Sequence, residues 1–166
     1  MKQSDICHPS IEIMNYCINI AKSGLKEGQY ALASVVVDKN GEIISENSSR
    51  LNTGYDPTAH PEIVAIRQAA EIMKSRYLPG CFLYSTLEPC PMCTSAVIWA
   101  KMSGIVFGSY QVDAVNFAKN HPSNIFSWRQ INISALQIAK KGTPTIKIHG
   151  GILREECNDL FSICFE

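Results

Sequence analysis

The sequence predicts an α/β fold, a sheet covered by helices on both faces, and three observations lead there. Short β-branched or aromatic runs alternate with segments of helical periodicity in the order α-β-β-α-β-α-β-(α)-β-α. A hairpin signal, Asp38-Lys39-Asn40-Gly41, joins the first two strands. No repeat, low-complexity tract or Pro/Gly/Ser linker divides the 166 residues, so one domain over 1–166 is expected.

The elements follow in order. Pro9 suits a first helical turn, and Ile13, Tyr16, Cys17, Ile20 and Ala21 recur at helical spacing until Gly24 and Gly28 break the pattern. Residues 30–37, YALASVVV, read as a strand whose hairpin partner is Glu42 to Ser45. A polar loop from Asn47 to Thr58 leads to a helix with Ile63, Ile66, Ala69, Ala70 and Met73 on its apolar face. Pro79-Gly80 ends that unit, CFLYST (81–86) is a buried strand, and Pro91 to Ala100 is a third helix. IVFG (105–108) is a further strand; over 111–140 the pattern weakens to helix and irregular structure. Thr145 to His149 reads as the last strand, and Gly150-Gly151 opens a helix containing Leu153, Cys157 and Leu160.

Composition narrows the function. With 46% hydrophobic and 18% charged residues the chain is globular. Fifteen Lys+Arg balance fifteen Asp+Glu, which excludes affinity resting on a bulk basic field, though not a local basic patch. No apolar run approaches the ~20 residues of a membrane span. The opening MKQSDICHPS lacks the apolar stretch of a secretory leader, so a cytoplasmic location is expected. Seven cysteines, an odd number, argue for reduced thiols, some of them metal-bound, over a disulfide framework.

Two stretches carry the chemistry: His60-Pro61-Glu62 and Pro89-Cys90-Pro91-Met92-Cys93. Pro61 and Pro91 both fit a first helical position, so each half places reactive groups at a helix start. Cys90 and Cys93, three apart, share one helix face and can hold one ion, and the positive end of the helix favours thiolates. With His60 they make a His/Cys/Cys set. Three protein ligands leave the fourth position of tetrahedral zinc for water, the layout of a catalytic site. Glu62, two residues after His60, can move protons there without ligating. A redox Cys-x-x-Cys gives His60-Pro61-Glu62 no role, and a structural zinc needs a fourth ligand that Cys81, Cys157 and His149 supply without paired spacing.

On these motifs the chain resembles the cytidine-deaminase-like superfamily, from about Val35 to Gly108. DPTAHPEIVAIRQ (56–68) and LEPCPMC…IVFG (87–108) are similar to its purine branch, the guanine and guanosine deaminases and bacterial tRNA adenosine deaminases. The resemblance implies a three-layer α/β/α sandwich with a central mixed five-stranded sheet, a homodimer, and hydrolytic deamination of a purine with zinc as cofactor. It assigns zinc to His60, Cys90 and Cys93, proton transfer to Glu62, and base binding to Asn47, whose loop is about two residues longer than usual. The chain departs from the purine relatives in three ways. Pro61 stands where most have alanine, which removes a backbone N–H. The paired aspartates of guanine deaminases lack a clear counterpart in 116–124. The Lys and Arg that tRNA enzymes carry around the site are scarce here.

A small purine base or nucleoside is therefore the first expectation, adenosine in tRNA the alternative, and a catalytically silent zinc-binding subunit the alternative of another class. Around the motif, Trp99 either walls a base pocket or serves the core or a dimer interface. Asp113 is either a reader of a base N–H or a solvated loop aspartate. His121 is expected in a loop, and Phe126-Ser127-Trp128-Arg129 either closes over substrate or packs an irregular segment. Phe165 either caps the site or frays, and Cys7, Cys17, Cys81, Cys157 and Cys164 are expected only to pack.

Overall fold

A computed structural model describes residues 8–25, 31–49, 55–122 and 129–163. Cys7, Gly28, Phe126, Ser127, Trp128, Cys164 and Phe165 lie outside the described residues. In chain order the elements are α1 (Ile11–Leu25), β1 (Ala33–Val37), β2 (Ile43–Ser48), α2 (Pro61–Ile72), β3 (Phe82–Leu87) and α3 (Pro91–Trp99). They continue with β4 (Gly104–Ser109), α4 (Gln111–Asn120), α5 (Ala135–Ala139), β5 (Lys147–His149) and α6 (Arg154–Ile163).

The five strands form one sheet in the order β2-β1-β3-β4-β5. β1 runs antiparallel to β2 and β3, while β3, β4 and β5 are parallel, so the sheet is mixed as expected. Gly41 adopts φ +82°, the left-handed turn conformation that closes the β1–β2 hairpin.

Alternation along the strands sorts their side chains to two cores. Val36, Leu83, Ile105 and Phe107 meet Ala65, Ile66 and Ala69 of α2, Val97 of α3, and Ala135 and Ala139 of α5. Val35, Val37, Phe82, Tyr84 and Val106 point the other way, onto Met14, Cys17 and Ile18 of α1 and Cys157 and Leu160 of α6. Three layers result. Cys17, Cys81 and Cys157 are buried free thiols, and burial pushes Cys81 up to about 11 and Cys157 up to about 12, so both stay protonated and pack as small apolar groups.

Several boundaries differ from the sequence reading. α1 starts at Ile11, because the Ser10 hydroxyl accepts from Ile13 N–H (3.3 Å) and caps it, and it runs through Gly24. Packing of α1 against the sheet outweighs the weak helix preference of one glycine. β2 extends to Ser48, so Asn47 stands on a strand, not in the loop. β5 is only Lys147–His149, and Leu153, at φ +51°, precedes α6.

α6 sits unusually close to β4. A Cβ built at Gly108 would stand 2.1 Å from Cys157 Sγ and 3.0 Å from the Thr86 carbonyl oxygen. Gly108→Ala is accordingly expected to lower stability by ~1–3 kcal/mol or more, read as a reduced denaturation midpoint. An unchanged midpoint would mean that α6 does not pack this tightly. Among the described residues no helix is long and apolar enough to cross a membrane.

Candidate functional site

The N-termini of α2 and α3 converge above the carboxyl end of β3. His60 and Cys90 occupy equivalent places, each the residue before the first helical turn, each extended (φ −62°, ψ 148° and φ −64°, ψ 169°), each followed by proline. Neither side chain caps its own helix, so imidazole and thiol turn toward each other. Cys93 is one turn further along α3 and buried.

Among the described residues, one group of His, Cys, Asp or Glu side chains converges closely enough to hold a metal: His60, Cys90 and Cys93. His60 Nδ1 lies 3.8 Å from Cys90 Sγ and 3.6 Å from Cys93 Sγ, and the two sulfurs are 3.6 Å apart. Tetrahedral zinc with bonds of about 2.3 Å to sulfur and about 2.0 Å to nitrogen needs edges of about 3.5–3.8 Å. The three donors fit zinc.

Their electrostatics agree. Hydrogen bonding with Cys93 pulls the Cys90 thiol down to about 4, with further help from His60, while hydrogen bonding to Cys90, burial and the neighbouring Glu62 push the Cys93 thiol up. The hydrogen bond to Cys90 raises His60. A lowered thiol at Cys90 suits a metal ligand, which binds as the thiolate.

Glu62, in the first turn of α2, is 7% exposed and outside the donor set. Its Oε2 is 3.6 Å from Cys93 Sγ, and its Oε1 accepts a hydrogen bond from the Ser85 hydroxyl at 3.0 Å. Burial pushes its carboxyl above the usual carboxylate range. Asn47 is 5% exposed on β2, in register with Ser34 of β1, and its Oδ1 has no hydrogen-bond partner among the described residues. A buried orphan acceptor is costly, and here it lies in the strand row that ends beneath Glu62, since Ser34 is in turn paired with Ser85.

Two other expected residues are placed elsewhere. Trp99 is 78% exposed and nine residues along α3 from Cys90, about 13 Å by helical rise, so within one chain it lines no pocket at the donors. Asp113 is not a solvated loop aspartate, and both its oxygens are engaged within the fold. Its Oδ2 accepts from the Tyr110 N–H (2.9 Å), capping α4, and its two oxygens receive Arg154 Nε and Nη2 at 2.9 and 2.7 Å. Arg154 beside it holds the Asp113 carboxyl below its usual range. His121 stacks on Phe117 at the exposed end of α4, a loop residue as expected.

The sequence reading missed Glu88. Its buried carboxylate accepts from Gln111 N–H (3.1 Å) at the start of α4 and from Ala135 N–H (2.9 Å) at the start of α5. This ties the Pro89-Cys90 loop to both helices. A carboxylate two positions before a metal ligand, on the end of a fully buried strand, is the local signal. Its partners, 23 and 47 residues away, leave no pattern in the chain.

Residues 9–109 match the model of the cytidine and deoxycytidylate deaminase zinc-binding region, and the chain belongs to that family. The match reaches well beyond the stretch from Val35 to Gly108 marked by the motifs. The chain is similar to the guanine deaminase of Bacillus subtilis, 36% identical over 97 residues, which are 58% of this chain and 62% of that enzyme. It is 30% identical to the tRNA-specific adenosine deaminase of Haemophilus influenzae over 157 residues, 93% of this chain and 82% of the other. Against that guanine deaminase and the tRNA-specific adenosine deaminase of Aquifex aeolicus, the chain spans 62% and 58% of the relative's length. The solved structure of guanine deaminase from Nitrosomonas europaea shares the fold, with a TM-score of 0.79 at 22% identity over 96% of this chain and 86% of that one.

Proposed function

We propose that the protein is a hydrolytic deaminase of a purine base or nucleoside, guanine- or guanosine-like, releasing ammonia. The observation that carries this is a three-donor set at tetrahedral spacing with a buried, non-ligating carboxylate 3.6 Å from one donor. Zinc held by His60, Cys90 and Cys93 would supply the Lewis acidity that makes water nucleophilic near neutral pH. Glu62 would take one proton from the water that adds to the amine-bearing ring carbon and give it to a ring nitrogen. It would then take the remaining proton of the added hydroxyl and deliver it to the amine, which leaves as ammonia when the C–N bond breaks. Asn47, with its orphan Oδ1, is the group we assign to the base, where it would accept from a ring or exocyclic N–H.

Among the described residues, the placement of the arginines and lysines on and after α2, α3 and α6 supports a small substrate over a polyanion. Arg67 and Arg154 pair with Asp56 (3.4 Å) and Asp113 (2.7 Å). Lys74 and Arg76 follow the far end of α2, and Lys101 the far end of α3, with Arg76 and Lys101 both lying over the Tyr77 ring at 4.8 and 4.0 Å. A second reading, adenosine in tRNA, is favoured by identity to a tRNA-specific adenosine deaminase over nearly the whole chain. We also propose a homodimer, using exposed Trp99 with Ile72 and Met73 at the ends of α3 and α2; a monomeric mass by light scattering would exclude it.

Ammonia release from guanine, guanosine, adenine, cytosine and tRNA separates these readings. Release from guanine or guanosine is expected. Release from tRNA alone would establish the second reading, and none from any would favour a silent zinc-binding subunit or a substrate outside this panel.

A further inference from the structure

We propose that Ser85, backed by Ser34, is a positioning residue that holds the Glu62 carboxylate toward the metal donors; the inference rests on the reading of Glu62 as the proton carrier. β1 and β3 are otherwise largely apolar on the face beneath α2, yet each places one serine there, Ser34 and Ser85, paired in register across the two strands. They are 0% and 2% exposed. Hydroxyls that deep in an apolar layer are costly unless they are bonded.

Both are bonded, and the bonds form a directed chain. The Ser34 hydroxyl donates to Ser85 Oγ at 3.2 Å, and the Ser85 hydroxyl donates to Glu62 Oε1 at 3.0 Å. A hydroxyl has a single proton to give. By occupying a lone pair of Ser85, Ser34 turns that proton toward Glu62. The acceptor end is a carboxylate, so the last bond is charge-assisted and the stronger of the two. With Oε1 anchored to the sheet, Oε2 is the oxygen left facing the donors, 3.6 Å from Cys93 Sγ. A glutamate has three side-chain torsions to order, and anchoring one oxygen restricts them before substrate arrives.

The test uses the zinc-loaded full chain and the substrate found active. Ser85→Ala is expected to lower kcat ~10-fold or more, with KM and zinc content unchanged, and Ser85→Thr, which keeps the hydroxyl, to restore most of it. Ser34→Ala should lower kcat less. The double variant should be no worse than Ser85→Ala, because Ser34 acts through Ser85. A crystal structure of Ser85→Ala should show the Glu62 carboxylate turned away or in more than one orientation. Wild-type kcat in Ser85→Ala, additive losses in the double variant, or an unmoved Glu62 would overturn the inference. Should Ser85→Ala not fold, Ser34→Ala decides, and a wild-type rate there counts against it. Glu62→Gln separates the two levels. If it stays active, the proton-carrier reading fails; if it is dead while Ser85→Ala is fully active, only this inference fails.

Discussion

Glu62→Gln will keep zinc bound and lose turnover by ~10²–10⁴-fold, the range that a positioned general acid–base contributes. The metal is retained because Glu62 is outside the donor group. Glutamine preserves the shape and still offers an oxygen to the Ser85 hydroxyl, so the carboxylate can be removed with little disturbance to the buried row. What is lost is the capacity to take and return a proton. Zinc content by elemental analysis, measured beside ammonia release, reads both outcomes on one sample. A zinc-loaded Glu62→Gln protein that still deaminates would remove Glu62 from the mechanism.

Cys93→Ala will abolish zinc binding and activity together, and will lower the thermal midpoint of the zinc-loaded protein. Cys93 is buried and its Sγ lies within 3.6 Å of both other donor atoms, so its loss leaves two ligands that bridge separate helices. Zinc that binds only the folded chain, at ~1,000 times its dissociation constant, contributes ~4 kcal/mol, equivalent to about 8–16 °C on a domain of this size. Chelation of the wild-type protein should reproduce most of that shift, and added zinc should reverse it. A midpoint indifferent to chelator would show that the three donors do not hold a metal.

The donor set was legible in the sequence because metal chemistry constrains spacing. Cys90 and Cys93 must share a helix face, and proline after both His60 and Cys90 marks the helix starts that aim them. The sheet with helices on both faces was equally legible, since most strands present a β-branched or aromatic run and most helices an apolar face, whereas its mixed five-stranded character was implied only by the family resemblance. The residues behind the donors were hidden because their partners are remote. Ser34 meets Ser85 across 51 residues, Glu88 meets Ala135 across 47, and Asp113 meets Arg154 across 41. In the sequence Asp113 is a lone charge near the motif; in the fold it caps α4 and ties α4 to α6. Sharing a helix with Cys90 suggests a pocket wall at Trp99, but helical rise carries it to the opposite, exposed end, where it fits neither the pocket nor the core.

The most direct measurement of the central claim is mass spectrometry of the product formed in water enriched in heavy oxygen. Hydrolytic deamination at the His60/Cys90/Cys93 centre predicts one heavy oxygen at the ring carbon that carried the amine, with one ammonia released per purine consumed. A product without the label, or a purine left intact by the zinc-loaded protein, would contradict it.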